Sequence, residues 1–154
     1  MKVDPSGIDV IAPNLKKRFS GVTSTVVRLV PLQAREIAIA GTGPALPDEM
    51  PQIALSTLPL MPRSGPSGPR VWHARRNTEM LAGLMLKWLL RKNFRMLFTS
   101  AAQRRHSAYT RWLLRRMDHV VATSARAQRH DHDRDCCRKP PDSAHLRPLA
   151  RSRH

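Results

Sequence analysis

The chain has 154 residues and a mass of 17.4 kDa, enough for one domain and not comfortably for two. Lys plus Arg is 27 against 11 Asp plus Glu, a formal net charge of +16, and 41% of the residues are apolar. These figures exclude a collagen, a coiled coil, a polytopic membrane protein and a disulfide-rich secreted scaffold; nucleic acid and an anionic membrane surface stay open as partners.

The only cysteines, Cys136 and Cys137, are adjacent, so no disulfide framework is expected. The N-terminus lacks the apolar core of a signal peptide. The longest apolar run, Met80 to Leu90, is broken by Lys87 and falls short of the roughly 20 residues a membrane span requires. A cytoplasmic protein is the expectation.

In chain order, Ile8 to Pro13 reads as a buried strand closed by proline. A basic loop (Lys16, Lys17, Arg18) leads through Ser20-Gly21 into a helix from about Val22 to Arg35, which Pro31 should bend or shorten. Ile37 to Ala40 reads as a second strand, stopped at Gly41-Thr42-Gly43-Pro44. Residues 44–70 are Pro-rich and read as loop, with a short strand at Ile53 to Leu55. Val71 to Ala74 is a third strand. Asn77 then caps a helix reaching about Lys92, with Glu79 in the first turn, where the helix dipole favours it. Met96 to Thr99 is a strand. Tyr109, Trp112, Leu113 and Met117 mark an amphipathic helix, and His119 to Thr123 a last strand. This alternation predicts an α/β fold: a Rossmann-like parallel sheet with helices on its faces and ligands at the carboxyl ends of the strands.

The composition changes near residue 125. Residues 1–125 hold every Val, Ile, Met, Phe, Trp and Tyr, and 19 of the 27 basic residues. Residues 126–154 offer only Leu146 and Leu149 as large apolar groups, so this segment is expected to be a disordered basic tail. Its metal-ligand residue types (His130, Asp131, His132, Asp133, Cys136, Cys137, His145) lack the spacing of a zinc site.

Three strand-end loops carry the candidate chemistry. Ser20, Gly21, Val22 and Thr23 open the first helix, where free backbone N–H groups and a glycine suit a phosphate or a sugar hydroxyl; an ordinary capped turn is the alternative. No P-loop lysine follows, and Gly41-x-Gly43 fails as a dinucleotide fingerprint because residue 46 is Leu. His73, Arg75 and Arg76 could polarise a hydroxyl and hold a carboxylate or phosphate, or form a solvated basic loop. In the third loop Thr99, Ser100 and Gln103 could hydrogen-bond a substrate, with Arg104 and Arg105 beside them, or the segment could be a capped helix with a solvated basic first turn; such a turn opposes the helix dipole and favours a nearby anion. The helix from Asn77 carries Met80, Leu81, Leu84, Met85, Trp88 and Leu89 on one face and Leu86 and Leu90 on another. It reads as buried on both sides, the alternative being a membrane-surface contact through Trp88 with Lys87, Arg91 and Lys92. A basic nucleic-acid-binding module is the rival class, resting on the charge and on Trp72, Trp88 and Trp112 as stacking groups. Trp88 and Trp112 fit a core better, no nucleic-acid-binding motif is present, and no specific nucleic acid is expected.

The stretch Ile8-Asp9-Val10-Ile11-Ala12-Pro13-Asn14-Leu15-Lys16-Lys17-Arg18-Phe19-Ser20-Gly21-Val22-Thr23-Ser24-Thr25 resembles the start of bacterial family-4 glycosyltransferases, and within them the lipopolysaccharide core mannosyltransferases of alphaproteobacteria. Val71 to Met80, Leu97 to His106 and Arg116 to Ser124 fit the same group, so the resemblance covers about residues 8–125. It implies the N-terminal, acceptor-binding Rossmann-like domain of a GT-B fold (residues 1–125), whose second domain holds a nucleotide sugar, here GDP-mannose. Transfer would retain anomeric configuration, with no metal and no other cofactor. The acceptor would be an anionic lipopolysaccharide core, reached in the cytoplasm or on the inner face of the membrane. By the same resemblance Ser20, Gly21, Val22 and Thr23 face the donor phosphates and acceptor. His73, the catalytic candidate, lines the acceptor side with Arg75 and Arg76, and Thr99, Ser100 and Arg104 form the cleft floor. The family's Glu-x7-Glu donor motif finds no match in 126–154. The chain is therefore expected to be truncated and inactive alone. The tail is expected to be out-of-frame sequence, with the second domain readable in another frame of the DNA.

Overall fold

The computed structural model describes residues 1–18, 20–100 and 107–123. Five parallel strands form one sheet: β1 (Val10–Pro13), β2 (Ile39–Thr42), β3 (Arg70–Ala74), β4 (Phe94–Ser100) and β5 (His119–Ala122), in the spatial order β2-β1-β3-β4-β5. Helices α1 (Gly21–Gln33), α2 (Asn77–Leu89) and α3 (Ala108–Leu114) make the crossovers after β1, β3 and β4. The register sets Val10 beside Ile39 and Val71, and His73 beside Leu97, so the carboxyl ends of β1, β3 and β4 lie at one end of the sheet. This is the predicted Rossmann-like sheet with flanking helices.

Alternation along the strands splits the core in two. Ile11, Ala40, Trp72, Ala74, Met96 and Phe98 point to the side covered by α2, α3 and the 53–61 segment. Ala12 and Ile39 point the other way and pack on Val26 and Val30 of α1 and on Met50. Trp72 is wholly buried, stacked on Phe94 at 5.6 Å between centroids, and its indole N–H donates to the Glu79 carbonyl at 2.8 Å. It offers no face to a nucleic-acid base. Helix α2 approaches this ring through Gly83; a Cβ there would lie 2.5 Å from both Trp72 and Met96.

Several expectations are corrected. Helix α1 starts at Gly21 and ends at Gln33, two residues past Pro31 and short of the expected Arg35, in keeping with the shortening expected there; the exposed proline itself stays within the helix, removing only the N–H that would have bonded Val27. No strand forms at 53–55. Ile53 N–H donates to the Gly41 carbonyl at 2.9 Å and Gly41 N–H to the Pro51 carbonyl at 2.9 Å, a single rung, after which the chain turns into a 3-10 helix at Leu55–Thr57. Arg76, not Asn77, occupies the N-cap of α2; Asn77 lies one residue inside and donates to Thr110 Oγ1 of α3 at 2.8 Å. Helix α2 is not buried on both sides: Leu81, Met85, Trp88 and Leu89 are exposed, as is Trp112 on α3. Trp88 and Trp112 are thus surface groups rather than core.

The opposite end of the sheet is closed by two inward cations. Arg70 is completely buried and donates to the carbonyls of Ile8 (2.7 Å), Pro62 (2.9 Å) and Pro5 (3.0 Å). Lys92 turns inward to the carbonyls of Pro59 (2.7 Å) and Met61, which removes it from the alternative reading of a membrane contact through Trp88, Lys87, Arg91 and Lys92. Burial lowers the pKa of both groups, with Arg70 adding to the effect on Lys92. Among the described residues no helix is long and apolar enough to cross a membrane. The proposed tail and its His, Asp and Cys cluster lie outside the described residues.

Candidate functional site

The site is assembled where β1, β3 and β4 end. Asn14 follows Pro13 and is completely buried; its Oδ1 accepts from Thr23 Oγ1 at 3.0 Å and from Arg76 Nη1 at 2.9 Å. Ser20 is the N-cap of α1, accepting from Thr23 N–H at 3.5 Å, as the capped-turn reading of this loop requires. Arg76 crosses from α2 to bind this loop. Its Nη2 donates to Ser20 Oγ and, at 3.4 Å, to Thr23 Oγ1, while Nη1 also meets Glu79 Oε1 at 3.3 Å. All four terminal N–H positions of Arg76 are thereby used, and the guanidinium is a clip holding the N-termini of α1 and α2 together.

Glu79 anchors that clip from inside. Its Oε2 accepts the backbone N–H groups of Arg75 (2.8 Å) and Arg76 (3.1 Å), satisfying donors that a helix start leaves free. Complete burial raises its pKa against the pull of these bonds and of the two arginines.

His73 and Thr99 stand on adjacent strands, with Nε2 2.7 Å from Thr99 Oγ1. Arg75 Nη2 lies 3.5 Å from His73 Nδ1. A guanidinium only donates, so Nδ1 is the acceptor and the neutral ring carries its proton on Nε2, pointed at Thr99. Burial, and then the Arg75 charge, lower the His73 pKa to about 4. At neutral pH the imidazole is an uncharged donor. Burial also lowers the Arg75 pKa, opposed by Glu79.

Five buried side-chain atoms among the described residues have no hydrogen-bond partner, and four belong to residues at strand ends: Asn14 Nδ2 after β1, Thr42 Oγ1 on β2, Arg75 Nη1 after β3 and Ser100 Oγ on β4. Buried polar groups are rarely left unpaired, so their gathering at one end of the sheet marks a place where a polar ligand fits. A guanidinium, an amide N–H and hydroxyls together suit an anionic, hydroxyl-rich molecule.

Of the residues singled out from sequence, the structure brings Ser20, Thr23 and Arg76 into one network, and His73, Arg75 and Thr99 into another. Gly21 and Val22 form the first turn of α1, with Gly21 exposed and Val22 half-buried. Ser100 is buried at the end of β4. Arg104 lies outside the described residues. Asn14 and Glu79 were missed as site residues. Glu79 carried only a dipole signal, and nothing local distinguishes a buried Asn after a strand from a loop Asn. Among the described residues no three His, Cys, Asp or Glu side chains gather as a metal site would need.

Over 110 residues the chain is 52% identical to the lipopolysaccharide core biosynthesis mannosyltransferase LpcC of Rhizobium leguminosarum bv. viciae, covering 70% of this chain and 31% of that protein. Over 111 residues it is 50% identical to the lipopolysaccharide core biosynthesis mannosyltransferase LpsB of Rhizobium meliloti (strain 1021), covering 71% of this chain and 32% of that protein. The chain thus spans about a third of the length of these relatives. No family model and no solved structure matches it.

Proposed function

We propose, for a chain that is a GT-B-like Rossmann domain homologous to the N-terminal portion of alphaproteobacterial lipopolysaccharide-core mannosyltransferases, that it supplies the acceptor-binding half of a mannosyl transfer. The donor is a nucleotide sugar, GDP-mannose, and the acceptor an anionic lipopolysaccharide core at the cytoplasmic face of the membrane. Residues 1–125 are the acceptor domain in this reading.

The cluster of unpartnered buried polar atoms at the carboxyl end of the sheet carries the reading. Arg75 Nη1 meets a carboxylate or phosphate of the acceptor, while Ser100 and Asn14 meet its hydroxyls. Ser20, Gly21, Val22 and Thr23 present the helix N-terminus to the donor phosphates. Arg76 acts by positioning that loop. His73 holds Thr99 toward the sugar, and through Thr99 it is the residue closest to a catalytic role. Arg104 is a further acceptor-binding residue in this reading. The 154 residues alone bind acceptor but turn over no GDP-mannose.

The test joins residues 1–123 to the remaining two thirds of the rhizobial LpsB relative. Mannose transfer from GDP-mannose to a deacylated core oligosaccharide is expected. Arg75→Ala should lower kcat/KM by about a hundredfold, the range for losing a charged contact in a dry site. A folded chimera that transfers no mannose, or an Arg75→Ala chimera with full kcat/KM, overturns the reading.

A further inference from the structure

We propose that the outer face of α2 and α3 is a docking surface for an anionic lipid bilayer. In a soluble domain the solvent side of a helix carries polar residues. Here Leu81, Met85, Trp88 and Leu89 recur at helical spacing on that side, with Met85 53%, Trp88 54% and Leu89 74% exposed. Helix α3 extends the surface: Trp112 meets Trp88 edge-on at 6.5 Å and Tyr109 stacks on Trp112 at 6.5 Å, both partly exposed. On the other flank an open apolar groove of about 410 Å³ runs between α2 and the 55–59 turn, lined by Met85, Leu86, Leu89 and Leu55.

The chemistry at the margin selects a bilayer as the occupant. The Arg116 guanidinium lies 3.8 Å from the Trp112 ring centroid and 5.7 Å from that of Trp88, so a cation sits within the aromatic cluster itself. Arg115, next to Arg116 in the chain, and Arg91, two residues past Leu89, are both exposed, and Asp118 is engaged by Lys87 at 3.1 Å and by the Met96 N–H. Amphipathic aromatics between exposed leucines and a cationic rim are what the headgroup boundary of an anionic membrane accommodates: rings and leucines reach the acyl region while arginines meet lipid phosphates. An apolar protein partner would leave Arg116 and Arg115 desolvated against nothing of opposite sign.

The experiment uses the full 154-residue chain and vesicles of phosphatidylcholine, alone or mixed with phosphatidylglycerol. These carry no sugar acceptor, so the outcome is independent of the transferase reading. Binding to the anionic vesicles is expected, weaker at raised salt, with Trp emission quenched by brominated lipid. Trp88→Ser with Leu89→Ser should weaken it at least about tenfold. Arg91→Ala and Arg115→Ala, both at exposed positions, should each weaken it about fivefold. Absence of binding to anionic vesicles overturns the proposal. So does unquenched Trp emission on vesicles, or unchanged binding by both folded variant sets, which would assign the attraction to charges elsewhere on the chain. A dimer that Trp88→Ser with Leu89→Ser dissociates, without vesicle binding, would make the face a contact between copies and also overturn it.

Discussion

Arg75 Nη2 stands 3.5 Å from His73 Nδ1, and that contact leaves the imidazole one way to carry its proton, on Nε2 toward Thr99. Burial, and then the same guanidinium, make a charged His73 costly and lower its pKa to about 4 from the ordinary 6.5. Between those values the unfolded chain binds a proton that the folded chain refuses. Stability is therefore full above pH 6.5, falls as pH drops toward 4, and loses at most about 3 kcal/mol across the window, less where solvent screens the half-buried ring. Thermal melts of the wild type and His73→Gln at pH 4.5 and 7.5 check this. The variant, which keeps an amide N–H for Thr99, should show a flatter pH profile.

Glu79 and Arg76 should behave as a unit. Glu79→Ala strands the Arg75 and Arg76 backbone N–H groups and leaves Arg76 without its buried counter-charge, at an expected cost of about 3–5 kcal/mol. Arg76→Ala leaves Glu79 buried and unpaired, and costs a similar amount. Chemical denaturation of both single variants and the double variant should give a double-mutant loss smaller than the sum. Additive losses would show that the two do not act through each other.

Gly83→Ala is a test of packing against propensity. Alanine gains about 1 kcal/mol of helix propensity over glycine. Its Cβ, however, would fall 2.5 Å from Trp72 and Met96 inside a filled core. Overpacking of this kind costs about 1–3 kcal/mol, so net destabilisation is expected in a urea titration.

Arg70 and Arg75 separate structure from function. Arg70→Ala orphans three carbonyls at the amino end of the sheet and should cost at least about 3 kcal/mol without touching ligand. Arg75→Ala removes a guanidinium with one buried, unpartnered nitrogen. It should leave stability within about 1 kcal/mol of wild type and abolish binding of an anionic sugar, read by calorimetry.

How much of this was written in the sequence depends on whether the signal is local. The strands β1, β3 and β4 announce themselves as apolar runs that end in Pro13, Ala74 and Thr99, and their alternation with helical spacing is enough for the parallel sheet; β4 starts two residues earlier and ends one later than its apolar run. The Ser20 cap is legible for the same reason, being a contact between residues three apart. Glu79 was read as a first-turn acid, but that it would carry the Arg75 and Arg76 amides depended on Arg76 taking the N-cap in place of Asn77. Asn14, Arg70 and Lys92 were illegible, because their partners lie across the fold and a buried cation looks like a surface one until those carbonyls are placed. The exposure of Trp88 and Trp112 was misread because an apolar helical stripe has the same spacing whether it meets a core or another surface.

The spatial position of β1 bears on how the chain assembles during synthesis. It pairs with β2 on one side and β3 on the other, yet β2 ends at Thr42 and β3 begins at Arg70. A nascent chain can close the β1–β2 pair early, but the second edge of β1 stays bare until the whole Pro-rich segment has emerged. The Arg70 contacts to Ile8 and Pro5 span 62 and 65 residues, so the latch that closes this edge is also among the slowest contacts to form. The interval between those two strands is when the chain is most open to pairing with a neighbour.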